Sequence, residues 1–187
     1  MKKVFIDGSA GTTGLRIFDR LHRRTDIQLL TLPESERKLE ASRKKMLNEA
    51  DVVFLCLPDD AACEAALWVE NPDTVVLDTS TAHRTAPGWC YGFPELSPVQ
   101  EARLRQAKRI AVPGCHASGF IALVYPLVSA GLLTPDALLS CYSLTGYSGG
   151  GKKMIAEYRA PERSFLLNAP RQYALGQTHK HLKEMKA

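Results

Sequence analysis

Short apolar runs alternate with helix-like stretches through the first hundred residues, and this alternation constrains the fold more than any other feature of the chain. The apolar runs are KVFI, IQLLTL, DVVFLCLP, TVVLD and RIAV. Runs that are apolar on both faces, such as VVFLCL, are typical of parallel strands covered by helices on each side. The pattern therefore predicts an α/β fold with a Rossmann-like, doubly wound parallel sheet.

The pattern changes after residue 113. The stretch HASGFIALVYPLVSAGL predicts an apolar helix, kinked at Pro126 and ended by Gly131. It is followed by LLSCYSLTGY, which predicts a strand, and by the glycine-rich SGGGKK. We expect a dinucleotide-binding domain over 1–113 and a second, catalytic or substrate domain over 114–187.

Composition excludes several classes of protein. The net charge of the 187-residue chain is only +4, and its basic residues are spread over separate segments, which argues against nucleic-acid binding. The first apolar run stops at Asp7, too early for a signal or membrane segment, so we expect a cytoplasmic protein. The five cysteines form no CxxC pair, which argues against disulfides and a zinc site.

A glycine-rich turn follows the first predicted strand. The stretch FIDGSAGTTGLRIF places Gly8, Gly11 and Gly14 between a strand and a helix. Such a turn lets the backbone approach a pyrophosphate, whose charge the helix N-terminus stabilises. The alternative is a tight turn with a purely structural role. The predicted cofactor-binding residues of the turn are Gly8, Ser9, Gly11, Thr12, Thr13 and Gly14.

The second predicted strand ends without the acidic residue that would hydrogen-bond a ribose 2′-hydroxyl. It runs instead into PESERK, where Ser35, Arg37 and Lys38 are suited to a 2′-phosphate. This favours NADP(H) over NAD(H). The alternative is a solvated charged loop, since Glu34 and Glu36 dilute the basic character.

Cys115, in VPGCHASG, lies where a strand ends, the chain turns and a helix begins. The positive end of a helix stabilises a thiolate, so this position suits a nucleophile. We expect Cys56 and Cys63 to be buried packing residues, because they lie in apolar segments. Cys90 and Cys141 are expected to be structural.

A nucleophilic cysteine needs a proton acceptor, for which the chain offers five histidines. His116 is a poor partner for Cys115, because neighbouring side chains on a helix diverge by about 100°. The other histidines are His22, His83, and the pair His179 and His181 in QTHKHLKEM. If that stretch is extended, both imidazoles of the pair lie on one face. Metal binding by the pair is the weaker interpretation, because no third ligand has the right spacing.

Arg84 lies in DTSTAHRT, which follows a strand at the edge of the sheet where ligands bind in open α/β folds. Its guanidinium is suited to a substrate phosphate or carboxylate. The alternative is an ordinary surface arginine.

Five motifs in order along the chain, GSAGTTG, LDTSTAHRT with YGFPEL, VPGCHASG, LTGYSGGGKK and GQTHKH, resemble those of the short bacterial N-acetyl-gamma-glutamyl-phosphate reductases. The resemblance implies an NADPH-dependent enzyme of arginine biosynthesis that forms N-acetylglutamate 5-semialdehyde and releases phosphate. It further implies a dinucleotide-binding domain followed by an α+β catalytic and dimerisation domain, as in glyceraldehyde-3-phosphate dehydrogenase, and a dimer or tetramer.

Carried over to this chain, the resemblance makes Cys115 the nucleophile that forms a thioester with the substrate. It places the general acid/base at His179 or His181, with a slight preference for His179. It also places Arg84 near the substrate phosphate. No metal is implied.

The chain departs from the family's pattern in two places. Lys183 stands where the family usually has a proline, and the chain stops at Ala187 where family members continue. We therefore expect an incomplete second domain. Two other functions stay open: an acyl-phosphate reductase similar to aspartate-semialdehyde dehydrogenase, and a non-catalytic NADP-binding module.

Overall fold

The computed structural model of the protein describes all residues, 1–187. The chain forms six β-strands and seven α-helices, joined by loops and three short 3-10 turns. In chain order these are β1 Lys2–Asp7, α1 Thr12–Leu21, β2 Ile27–Leu30, α2 Glu40–Glu49, β3 Val52–Leu55, α3 Asp59–Leu67, β4 Val75–Asp78, β5 Cys90–Tyr91, α4 Pro98–Gln106, β6 Arg109–Ala111, α5 Cys115–Ser129, α6 Gly151–Arg159 and α7 His181–Lys186.

The six strands form one parallel sheet in the order β2-β1-β3-β4-β6-β5. The predicted parallel, Rossmann-like sheet is confirmed. The chain leaves β1 toward β2 on one side and returns to β3 on the other, so the strand order reverses between β1 and β3. In open α/β sheets, ligands bind outside the carboxyl ends of the strands at such a reversal.

The buried core lies between the sheet and helices α2 and α3. Val53, Leu55 and Val76 from β3 and β4 pack with Phe5 of β1 and Leu47 of α2, and all five are buried. The last four residues of β1 are all buried, whereas β3 and β4 alternate between buried and half-buried residues, so one face of these two strands is more fully covered than the other.

Helix α5 starts at the turn that follows β6 and is the longest helix, with 15 residues. Pro126 lies inside it, and Gly131, just beyond its end, has a φ of +70°. The predicted helix and its end at Gly131 are therefore confirmed. No helix in the structure combines the length and the apolar character needed to cross a membrane.

The predicted strand LLSCYSLTGY is wrong. Residues 138–146 have no regular secondary structure, and Tyr147 begins a 3-10 turn. A strand is stabilised by hydrogen bonds to a neighbouring strand, and no strand of the structure lies beside this segment. Leu138, Tyr142 and Leu144 accordingly lie on the surface.

Candidate active site

The glycine-rich turn lies at the reversal of the sheet and is packed against the chain that follows β3. Gly8 has a φ of +85°, and a Cβ there would lie 2.3 Å from the carbonyl oxygen of Cys56. A Cβ on Gly14 would lie 2.4 Å from the carbonyl oxygen of Gly8. Both glycines are thus required by packing alone, and their role toward a cofactor stays a prediction.

The N-terminus of α1 has the features of an anion site. Its N-cap, Gly11, offers no side chain to the first backbone N–H groups, and the first turn contains no acidic residue. Asp7, at the end of β1, is buried and paired with Arg43 of α2 at 2.9 Å. Free N–H groups with no neighbouring uncompensated carboxylate fit a dinucleotide phosphate.

The residues predicted to bind a 2′-phosphate lie in the turn between β2 and α2. Ser35, Arg37 and Lys38 follow the carboxyl end of β2. Arg37 donates from Nε to the carbonyl oxygen of Leu32 at 3.4 Å and has no carboxylate partner. The position suits the predicted contact with NADP(H), which stays a prediction.

Cys115 is the first residue of α5 and is exposed. Gly114, its N-cap, provides no side-chain hydrogen bond to the helix. The predicted position of the thiol, where a turn enters a helix, is therefore confirmed. The positive end of the helix is available to stabilise a thiolate.

The other four thiols differ in their surroundings. Cys63 is exposed on α3, so the prediction that it packs in the core is wrong: α3 turns Ala62 and Ala65 toward the sheet and leaves Cys63 outside. Burial raises the pKa of the partly buried Cys56 to about 11. Cys90 is buried and Cys141 is exposed.

A buried carboxylate, that of Glu184 in α7, fixes the turn before Cys115. It accepts hydrogen bonds from the Gly114 N–H at 2.9 Å, from Arg84 Nη1 at 2.6 Å and from the Tyr91 hydroxyl at 2.9 Å. Burial, together with the Glu184 carboxylate, raises the pKa of Tyr91. Glu184 was not among the predicted site residues, although the HLKEM segment places it about one helical turn after His181.

His181 packs directly against the residue that precedes Cys115. A Cβ on Gly114 would lie 2.3 Å from Nε2 of His181, so only glycine fits there. His181 is buried, its Nδ1 has no hydrogen-bond partner, and burial lowers its pKa. The stretch is not extended around His181, which begins α7, and Lys180 before it is already helical.

His179 nevertheless lies beside His181, with ring centroids 4.5 Å apart. Its Nδ1 accepts the backbone N–H of His181 at 3.2 Å, so the proton of the neutral ring is on Nε2. Burial and the neighbouring His116 lower the pKa of His179. His116, which the sequence analysis set aside, lies within 5.8 Å of both rings. No group of three or more His, Cys, Asp or Glu side chains is arranged to hold a metal ion.

The side chain of Arg84 is only 8% exposed, and most of its hydrogen-bonding capacity is used by acceptors of the protein. Besides Glu184, it donates from Nε to the carbonyl oxygen of Val112 at 3.0 Å and from Nη2 to that of Thr79 at 3.2 Å. Of its five N–H groups, two therefore stay free for a substrate anion. The predicted substrate contact stays a prediction. A cavity of about 320 Å³ adjoins Arg84, lined by Asp59, Thr81, Ala82, Arg84, Thr85, Lys180, Lys183 and Glu184.

The two other histidines lie outside this cluster. His83 bonds through Nδ1 to the buried Asp78 at 2.6 Å and stacks on Trp89 with ring centroids 3.9 Å apart. His22 is exposed on the surface just beyond α1. Their contacts give neither of them a place beside Cys115.

Family models match both parts of the chain. Residues 3–104 match the semialdehyde dehydrogenase NAD binding domain, and residues 115–187 match the semialdehyde dehydrogenase dimerisation domain. The two matches together cover most of the chain.

Curated relatives are similar over nearly the whole chain. N-acetyl-gamma-glutamyl-phosphate reductase 2 of Pseudomonas putida is 49% identical over 184 residues, which are 97% of this chain and 58% of that protein. N-acetyl-gamma-glutamyl-phosphate reductase of a Chelativorans species is 50% identical over 186 residues, 98% of this chain and 59% of that protein. The chain thus spans about three fifths of the length of these relatives.

Solved structures share the fold. Aspartate semialdehyde dehydrogenase II of Vibrio cholerae superposes with a TM-score of 0.64 at 16% identity, over 93% of this chain and 55% of that one. Such low identity shows the fold alone. Together, the parallel sheet, the Cys115 turn, the domain matches and the resemblance to N-acetyl-gamma-glutamyl-phosphate reductases show that the chain belongs to the semialdehyde dehydrogenase family.

Proposed function

We propose that this chain carries the nucleotide-binding and cysteine-histidine parts of an N-acetyl-gamma-glutamyl-phosphate reductase, a cytoplasmic, NADPH-dependent oligomer. The reaction reduces N-acetyl-gamma-glutamyl phosphate to N-acetylglutamate 5-semialdehyde and releases phosphate. The observation that carries the proposal is the contact of His181 with Gly114, immediately before the helix-terminal Cys115. The names of the relatives support the choice of substrate.

Cys115 is the proposed nucleophile. Its thiolate, stabilised by the N-terminus of α5, attacks the acyl carbon of the substrate. A carbon–sulfur bond forms, the carbon–oxygen bond to the phosphate breaks, and phosphate leaves. The product of this half-reaction is a thioester on Cys115.

His181 is the proposed general acid/base, in place of the slight preference for His179. Its ring packs on Gly114, and the lowered pKa that burial gives it keeps the imidazole neutral and able to accept the thiol proton. The same ring then donates a proton to the oxygen on which negative charge develops during reduction. His179 uses Nδ1 to accept the backbone N–H of His181, so that nitrogen is not available as a base.

The cofactor is proposed to bind at the carboxyl edge of β1 and β2. The turn of Gly8, Ser9, Gly11, Thr12, Thr13 and Gly14 would hold its pyrophosphate, and Ser35, Arg37 and Lys38 its 2′-phosphate. When bound, NADPH supplies the hydride that the thioester requires.

Arg84 is proposed to contact the substrate phosphate with the two N–H groups that the protein leaves free. Glu184 orients the guanidinium and at the same time fixes the Gly114 N–H. The proposed boundary between the two functional parts lies at residue 114, so the site forms where the parts meet.

The test compares Cys115→Ala with Cys63→Ala, since both thiols are exposed. Phosphate-dependent reduction of NADP⁺ by N-acetylglutamate 5-semialdehyde, and NADPH binding by fluorescence, are measured on each protein. We expect Cys115→Ala to abolish the reaction and keep NADPH binding, and Cys63→Ala to change neither. A Cys115→Ala protein that retains the reaction would refute the proposal.

Two controls identify the other functions. Faster turnover of aspartate semialdehyde than of the N-acetylated substrate would indicate the aspartate-semialdehyde dehydrogenase reaction instead. Tight NADPH binding by the unchanged chain, with no hydride transfer to either substrate, would indicate a non-catalytic binding module.

A further inference from the structure

The proposed reaction leaves one side chain of the histidine cluster without a role. His116 follows Cys115 on α5, and its ring centroid lies 5.7 Å from that of His181 and 5.8 Å from that of His179. Its Nδ1 lies 2.6 Å from the hydroxyl oxygen of Ser143. Three imidazoles from two separate parts of the chain therefore meet at the turn of Gly114, the residue before Cys115.

We propose that His116, anchored by Ser143, is a positioning residue whose ring, when protonated, opposes a further proton on His179 and His181 and so keeps His181 neutral and ready to accept the proton of Cys115. The opposition follows from the short distances between the rings. The consequence for Cys115 rests on the proposed function.

The physical reason is repulsion between like charges. A proton on one imidazole disfavours a second proton on a neighbour only a few ångströms away, most strongly where water is partly excluded. His181 is buried, so the repulsion at its ring is weakly screened. A proton on one ring of the cluster should therefore lower the pKa of the other two rings.

Other charges face the cluster and set its balance. Glu184 of α7 favours protonation of His179 and His181, whereas Arg84 opposes it at both rings and Lys180 opposes it at His179. Burial is the largest contribution at both rings, and His116 lowers the pKa of His179 more prominently than that of His181. Tyr173 packs edge-on against His179, with ring centroids 5.6 Å apart.

The anchor is insensitive to the charge of His116. A serine hydroxyl donates to an unprotonated Nδ1 and accepts from a protonated one. The contact with Ser143 therefore holds the ring beside His179 and His181 in both states. The coupling within the cluster is electrostatic rather than a movement of the ring.

The test measures the titration of each histidine by NMR of its Cε1 proton in the whole chain. His116→Asn keeps a hydrogen-bonding group near Ser143 and removes the charge, whereas His116→Phe keeps an aromatic ring and removes both. We expect the pKa of His179 to rise by roughly half a unit or more in both variants, and that of His181 to rise by less. His22, exposed at the far end of α1, is the internal control and should not shift.

A purely structural role for His116 predicts a different pattern. His116→Phe would then leave the titrations unchanged, and His116→Asn would alter them only together with the melting temperature. Unchanged titration of His179 and His181 in both variants would overturn the proposal.

The two proposals fail separately. If Cys115→Ala keeps the reaction while His116→Asn still shifts the titrations, the proposed function is wrong and the role proposed for His116 is supported. If Cys115→Ala abolishes the reaction but His116→Asn shifts no titration, the proposed function is supported and the role proposed for His116 is wrong. The rate of alkylation of Cys115 against pH connects the two proposals. We expect the fall of this rate at low pH to begin at a higher pH in His116→Asn than in the unchanged protein.

Discussion

Large apolar side chains are buried in the strands of the first 113 residues, whereas similar side chains are exposed in the segment 130–175. Val53 and Leu55 of β3 are fully buried, whereas Leu138 and Leu144 are 101% and 80% exposed. The strands of the first part pair with one another within the chain. The second segment contains a sequence of strand type with no strand beside it. Burial in this molecule therefore depends on available partners as much as on local sequence.

The site lies where the second region returns to the first. In the part of the chain that follows Ala117, only two residues are buried, His181 and Glu184. Both contact Gly114. Lys180 adds a tether, since its Nζ lies 2.7 Å from Oδ2 of Asp59 at the start of α3. The region after α5 is thus attached to the sheet mainly through side chains of the site.

The largest expected effect is at the turn of the well-packed region. Gly8→Val should lower the free energy of unfolding by about 4 kcal/mol or more, because the new side chain meets the Cys56 carbonyl and φ is positive. Gly88→Val is the matched control: its φ is +81°, but nothing lies within 4 Å of its Cβ, so we expect a loss of about 1–2 kcal/mol. Urea unfolding measures both, and equal losses would mean that close packing does not hold the turn.

The attachment of the second region is tested by Glu184→Gln. Removal of the charge leaves the buried Arg84 guanidinium uncompensated, which should cost about 3 kcal/mol. Glu157→Gln breaks the exposed pair with Arg171 and should cost less than about 1 kcal/mol. A loss in Glu184→Gln no larger than that in Glu157→Gln would contradict the role given to this carboxylate.

The pH dependence of the free energy of unfolding should also depend on the packing of His179 and His181 beside Gly114. The pKa values of His179 and His181 are lowered in the folded protein, so the unfolded chain binds more protons. Their contribution to stability is complete above the unfolded value near 6.5 and is lost as the pH falls from there through the lower folded values. Unfolding by urea over this range should show a weaker pH dependence in His181→Asn, and an unchanged dependence would exclude the buried ring as its source.

The smallest effect is expected in the exposed segment. Leu144→Ser should change the free energy of unfolding by less than about 0.5 kcal/mol, because the side chain is 80% exposed. Val53→Ala, in the fully buried part of β3, should cost about 1–3 kcal/mol. A large loss in Leu144→Ser would show that the segment is packed in solution and would remove the contrast between the two regions.

The sequence predicted the features that depend only on neighbouring residues, namely the strands and the helix N-terminus at Cys115. The continuous apolar runs indicated buried parallel strands, and the turn before Cys115 indicated a thiol at a helix N-terminus. The strand predicted over 138–147 is absent because a strand needs a neighbouring strand to pair with, and the sequence of one segment does not show whether it has one. Cys63 was misplaced because an alanine-rich helix gives little indication of which face is buried.

The site itself depends on contacts between distant parts of the chain. Glu184 meets Tyr91 and Gly114 across 93 and 70 residues, and no spacing in the sequence predicts such contacts. His116 was set aside because it diverges from Cys115 on the helix, which is correct locally but leaves its ring facing His179 and His181. The charged segment HLKEM did not indicate a buried carboxylate, because glutamate is rarely buried unless it is paired, and the partners of Glu184 lie far away in the sequence.

The turn at Gly114 is proposed to make Cys115 a reactive nucleophile. The most direct test is the rate at which iodoacetamide alkylates each cysteine of the folded chain near neutral pH, followed by peptide mass spectrometry. Cys63 and Cys141 are the matched controls, because they too are exposed but do not lie at a helix N-terminus. We expect Cys115 to react at least about tenfold faster than either control, because only the thiolate is nucleophilic. Equal rates at the three exposed thiols would contradict the claim and leave Cys115 an ordinary surface cysteine.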